Sequence, residues 1–194
     1  MLLIEPKTTD DILKQCTGKT TVICCTGCSE VYYPEATIEK LIKELSDCIC
    51  MTSVIKTDYI CNPTNLCIQL NKHSDIITTS NTVLGFSCGV GIQTVSDSLL
   101  TISDNLRTIR IVSGCDTFPL PGVQGVTPSE YDCVGCDECH LNKTFGICPV
   151  TTCSKSLLNG QCGGSKDGKC EADSDMQCAW ERIYRRALTK KHNK

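Results

Sequence analysis

Apolar residues fall in short blocks along the first part of the chain, and the period of the blocks alternates. Thr20, Thr21, Val22, Ile23 and Cys24 form a continuous, largely β-branched run, the pattern of a buried strand. After Pro34, Ile38, Leu41, Ile42 and Leu45 recur on one face at helical spacing. Residues 49–55 return to a strand pattern. Asn62-Pro63 then opens a helix through Leu66, Leu70 and His73 toward Ile77, since proline is tolerated at the first helical position. Residues 82–87 predict a third strand, Ile92 to about Leu100 a helix, and residues 109–112 a fourth strand. A short helix over residues 8–16, capped by Thr8 or Thr9 and stopped by Gly18, precedes the series. Strands alternating with helices predict a parallel sheet with right-handed crossovers, a Rossmann-like α/β domain over residues 1–118.

Residues 119–125 are rich in proline and glycine and read as a turn-rich connection. Beyond them the periodicity fades. Residues 133–178 hold eight cysteines and little helix or strand pattern, so this stretch needs staples to fold. A helix from about Asp175 to Leu188 closes the chain, with Ala179, Trp180, Ile183, Tyr184 and Leu188 at helical spacing. Arg182, Arg185 and Arg186 near its end suit the helix dipole, and the basic tail reads as a solvated end. Residues 119–194 are therefore expected to form a cysteine-rich metal module with a C-terminal helix.

Composition changes this picture at one residue type. A net charge of −3 and 5% aromatic residues offer nothing to a nucleic-acid partner. No apolar run is long enough to span a membrane, and the N-terminus lacks the pattern of a signal peptide, so a cytoplasmic location is expected. Cysteine is the exception, at 18 residues. In a reducing compartment, thiols in such numbers point to metal ligation rather than disulfides. Cys48, Cys50, Cys67 and Cys115 read as small packing residues.

Twelve cysteines form constellations. Cys25 and Cys28 follow the first strand of the alternating series and Cys88 the third, at the sheet edge where α/β folds bind ligands; Cys61, before a helix, can reach the same edge. These four are expected to bind one 4Fe–4S cluster. A thioredoxin-like pair at Cys25 and Cys28 is a rival, but such a motif opens a helix directly and Ser29 to Tyr33 intervene. Cys88-Gly89-Val90-Gly91 has Thr94 where a dinucleotide loop needs its third glycine, so a nicotinamide site is discounted. Cys133, Cys136 and Cys139 can wrap three corners of a cubane. Cys148-Pro149 resembles the ferredoxin ending, but the spacing from Cys139 is nine rather than four. That leaves Cys148 open to serving a different cluster. Cys153, Cys162, Cys170 and Cys178 bring the C-terminal set to eight, enough for two four-thiolate sites. Zinc is the rival metal in this module; the overlapping C-x₂-C triplet favours a cluster. His140 reads as a bystander. Nothing resembles a Ser–His–Asp set, which favours electron transfer over catalysis within this chain.

Three further motifs are distinctive: Cys148-Pro149 leading to Lys155-Ser156-Leu157-Leu158-Asn159-Gly160 and Cys162-Gly163-Gly164; Gly168-Lys169-Cys170-Glu171; and Cys178-Ala179-Trp180. In this order they resemble the cysteine-rich C-terminal domain family associated with methylenetetrahydrofolate reductase. Cys25-Thr26-Gly27-Cys28 and Ser87-Cys88-Gly89-Val90-Gly91-Ile92-Gln93 extend the likeness over most of the chain, to the stand-alone small subunit found in acetogenic bacteria. The resemblance implies two or three 4Fe–4S clusters, zinc being possible in one C-terminal site. It also implies a flavin-containing catalytic partner that reduces methylenetetrahydrofolate to methyltetrahydrofolate, with further redox subunits possible, in one-carbon metabolism of the Wood–Ljungdahl type. No catalysis is expected from this chain alone. Where the family carries a third cysteine four positions after the C-x₂-C, this chain has Tyr32, so Cys61 and Cys88 are expected to complete that site. The competing reading is a non-redox zinc scaffold that assembles the complex.

Overall fold

The computed structural model describes residues 2–102, 108–119 and 133–191. In chain order its elements begin with β1 (Leu2–Pro6), α1 (Thr9–Leu13), β2 (Thr20–Cys25), β3 (Val31–Tyr32), α2 (Glu35–Ser46) and β4 (Met51–Thr57). They continue with α3 (Pro63–Lys72), α4 (Ser74–Ile77), β5 (Thr82–Phe86), α5 (Gly89–Ile102), β6 (Arg110–Ser113) and β7 (Cys115–Pro119). A 3₁₀ turn (His140–Asn142), α6 (Pro149–Thr152) and α7 (Ala179–Lys191) complete the series. Among the described residues no helix is long and apolar enough to cross a membrane.

The expected parallel sheet is present, in the order β4-β2-β5-β6, with every neighbouring pair parallel. Every residue of β2 and β5 is buried, as the continuous apolar runs require of strands covered on both faces. Alternate side chains enter two cores. Ile23, Val83 and Ile111 pack with Leu66, Leu70, Ile92 and Val95 from α3 and α5. Val22, Leu84, Phe86 and Val112 pack with Ile12, Ile38, Leu41 and Leu45 from α1 and α2. Each such side chain contributes about 1.5–3 kcal/mol on burial. From β2 the chain crosses to one side for β4, then returns across β2 to β5. The strand order therefore reverses between β2 and β5, the place where open α/β sheets hold ligands.

Several boundaries differ from the sequence expectation. β2 includes Cys25, and β4 runs two residues later than expected. The helix begun at Pro63, capped by the Asn62 side chain, breaks at His73 (φ −110°, ψ 19°) before α4. α5 starts at Gly89 rather than Ile92. A second sheet, order β3-β1-β7, was not anticipated; β1 runs antiparallel to β7, from Leu2 opposite Pro119 to Pro6 opposite Cys115. Cys115 is buried as expected, but Cys48 and Cys50 are exposed rather than packed, and Cys67 is only half-buried. Residues 120–125 of the expected connection, and the last residues of the basic tail, lie outside the described residues.

From Cys133 to Cys178 the chain is nearly irregular, as its composition implies. Apart from the 3₁₀ turn and α6, its regular features are the isolated bridges Lys166–Lys169 and Lys169–Gln177. α7 begins at Ala179, not Asp175, because the preceding residues are tied into these bridges: Cys170 N–H donates to Met176 O (2.9 Å) and Cys178 N–H to Gly168 O (2.8 Å). Ala179 and Ile183 are buried, whereas Tyr184 and Leu188, expected on the apolar face, are exposed. Arg186 does not merely complement the dipole. Its guanidinium donates to Ser96 Oγ (2.9 Å) and Phe145 O (3.1 Å) and pairs with Asp97, fastening α7 to α5.

Candidate metal centres

Three cavities are each lined by four cysteines, and together they take in all twelve expected ligands. The first holds Cys25, Cys28, Cys61 and Cys88, with Ile4, Val31 and Ser87. β2 delivers Cys25 at its last residue, and the following turn delivers Cys28. Gly27 in that turn lies so close to Asp58 that a Cβ there would stand 2.2 Å from its carboxyl carbon. Cys88 follows β5 after a single residue, Ser87. The quartet thus occupies the point where strand order reverses.

The second cavity holds Cys133, Cys136, Cys139 and Cys148, with Gly89, Gln93, Thr117, His140 and Leu141 among its walls. Cys148, left open by its spacing, belongs with the triplet here. The intervening chain turns back through the 3₁₀ turn and Gly146, whose φ of +81° suits glycine. The site rests on the α/β core through polar bonds. Asn142 accepts from Ser113 N–H (2.6 Å), and Asp116, paired with Lys7, accepts from Cys139 N–H (2.8 Å). Gln93, on the first turns of α5, donates to Gly89 O (3.2 Å) and accepts from Cys148 N–H (3.3 Å). Gln93 went unnoticed as a site residue: α5 carries several buried polar residues, Thr94, Ser96 and Ser98 among them, and nothing in its local sequence sets Gln93 apart.

The first two cavities meet at a single peptide. Cys88 lines one and Gly89 the other, and a Cβ on Gly89 would lie 3.1 Å from Cys133 Sγ. The third cavity gathers Cys153, Cys162, Cys170 and Cys178 with Trp180 and Glu171. The one turn of α6 links it to the second, with Cys148 at its N-cap and Cys153 at its C-cap. Trp180 Nε1 donates to Leu157 O (2.8 Å), which folds the loop before Cys162 onto α7.

Burial dominates the electrostatics of the first two quartets. It pushes the Cys88 thiol up to about 12, against the N–H groups of Gly91 and Val90 in the first turn of α5. It raises Cys25, Cys61, Cys133 and Cys136, and Cys139 to about 11. In the third quartet Cys170 is shifted down instead, by the Ser154 hydroxyl 3.1 Å away. Among the described residues no three cysteine, histidine or carboxylate side chains converge as they would around a single bound ion; the thiols line the cavities without closing to that distance.

Raised thiols make the metal-free protein sensitive to alkali. The folded state holds these protons more tightly than the unfolded chain, so their stabilisation is complete below the ordinary thiol range. It is lost as pH climbs through about 9 toward about 12, the range set by Cys139 and Cys88. Denaturant midpoints of the reduced, chelated protein should hold from pH 7 to near 8.5 and fall by pH 10.5; a flat profile would contradict these environments.

Residues 112–194 match the family model described as the C terminal of methylene-tetrahydrofolate reductase. The match begins within β6 and takes in the second and third quartets. The first quartet lies outside it. No curated protein and no solved structure matches the chain.

Proposed function

We propose that this chain is an iron–sulfur subunit of a methylenetetrahydrofolate reductase complex, passing electrons to the flavin of a partner subunit that performs the reduction. The family match links the C-terminal segment to that reductase. The observation that carries the electron-transfer reading is the arrangement of twelve cysteines as three quartets, each around its own cavity. Thiolates are soft donors that suit iron–sulfur clusters and zinc, and four per site is the ligand count of a 4Fe–4S cluster. A bound cluster supplies reversible one-electron storage. The chain's own residues hold and orient it: α5 offers first-turn N–H groups to Cys88, and Asp116 and Gln93 fix the backbones of Cys139 and Cys148.

Zinc is the rival metal for the third quartet, whose four thiols would have to draw together around it. That quartet sits in chain without a core, Cys162 is exposed, and a tetrahedral tetrathiolate zinc would staple the loops. If zinc filled every site, the chain would be a scaffold rather than an electron carrier.

Iron, sulfide and zinc analysis of anaerobically purified protein, with its visible spectrum, separates these readings. About eight to twelve irons per chain, with matching sulfide, correspond to two or three 4Fe–4S groups. Zinc without iron would end the electron-transfer reading. Folate reduction should require co-expression with a flavin-bearing subunit, and activity from this chain alone would overturn the assignment of the chemistry to the partner.

A further inference from the structure

Ser87 joins β5 to Cys88 and is 2% exposed. Its hydroxyl is buried and has no hydrogen-bond partner among the described residues. Buried hydroxyls almost always find partners, and an orphan in a ligand cavity marks a place where a bound group completes the bonding. Ser87 lines the first cavity with the four cysteines, Ile4 and Val31, so among the described residues it supplies the one hydroxyl there. Room is kept for it: a Cβ on Gly91 would lie 2.3 Å from Ser87 Oγ and 2.8 Å from Ile60 Cγ1.

We infer that the Ser87 hydroxyl donates a hydrogen bond to a sulfur of the cluster held by Cys25, Cys28, Cys61 and Cys88, and so raises that cluster's reduction potential. The inference rests on the proposed cluster at this site. Sulfur acceptors surround the hydroxyl and the apolar walls offer no competitor. A donor stabilises the reduced, more negative state more than the oxidised one, and hydrogen bonds to sulfur are among the determinants of cluster potential. Ser87 is thus a positioning residue that tunes the centre without ligating it, and Gly91 preserves the space in which it does so.

The test uses the full chain, anaerobically loaded, in redox titrations with dithionite followed by electron paramagnetic resonance. Cys88→Ser identifies the signal and the iron that belong to the first quartet. Ser87→Ala should keep that iron but lower the ratio of reduced to oxidised centre at the wild-type midpoint about tenfold, a downward shift of about 59 mV for one electron. Ser87→Thr retains the hydroxyl and should titrate near wild type. In the metal-free protein Ser87→Ala should unfold no more easily than wild type, because it removes an orphaned polar group. A merely structural serine would move the unfolding and leave the potential alone. Retained iron with an unchanged midpoint in the alanine variant would overturn the role of Ser87 and leave the site standing. Wild-type protein with no iron dependent on Cys88 would overturn the site and the role with it. If alanine loses the iron, its return in the threonine variant supports the hydroxyl, and its loss from both refutes it.

Discussion

Cys162→Ser should leave the metal-free chain as stable as wild type and strip the loaded chain of the metal in its third quartet. The two halves of this result have separate causes. Cys162 is exposed, so a serine there removes no packing. The surrounding residues 153–178 have few regular elements, only isolated bridges and the fold of the loop under Trp180. Their order therefore leans on whatever the four thiols hold, and metal binding in such modules is folding free energy, about 10–16 kcal/mol in zinc-finger peptides. Losing even about 3 kcal/mol of that raises the open population about a hundredfold. Limited proteolysis tracks that population when reclosing is fast. Cleavage within residues 153–178 should accelerate accordingly, together with loss of metal. A variant that keeps its full metal content and its resistance would remove Cys162 from the ligand set.

Arg186→Ala should destabilise the protein by about 2–3 kcal/mol whether or not metal is present. The guanidinium gathers three acceptors from two parts of the chain: Ser96 and Asp97 on α5, and the Phe145 carbonyl beside the second quartet. Removing one partner of a buried ion pair costs about 3–5 kcal/mol. A loss below that range is expected here because the Asp97 side chain is 25% exposed and water can take over part of the lost interaction. Chemical denaturation of loaded and metal-free protein should show the same drop in both. A change of less than about 0.5 kcal/mol, the range of ordinary surface substitutions, would show that α7 is held without Arg186.

The two sheets were unequally legible. β2 and β5 announce themselves because strands buried on both faces read as unbroken apolar runs, and Cys25, Cys28 and Cys88 could be placed at their ends from that alone. β1 and β7 hide their nature. β1 carries Glu5 and Pro6, β7 carries Asp116 and Pro119, and the other neighbour of β1 is a two-residue strand at Val31–Tyr32. Short strands with polar or proline residues carry little periodic signal, and their pairing spans more than a hundred residues of sequence. The three cysteine groupings fared similarly. Local spacing exposed the triplet Cys133, Cys136 and Cys139. The place of Cys148 depended on a reversal through Gly146, and the polar supports at Gln93, Asp116 and Ser113 are tertiary contacts that no local pattern encodes.

The peptide between Cys88 and Gly89 belongs to two cavities at once, and that limits how the chain can be divided. Modular redox proteins are often handled as cassettes, cut at a loop and joined elsewhere. A cut here after β7 would leave the first quartet with its own four cysteines, yet it would uncover the other side of its own wall. Gly89 would lose Cys133 and Leu141, and Asp97 would lose Arg186. A piece carrying the second quartet would likewise lack Gly89, Gln93 and Thr117. A swap that replaced either half would have to bring a matching first turn of α5 with it, because the first two quartets share that wall.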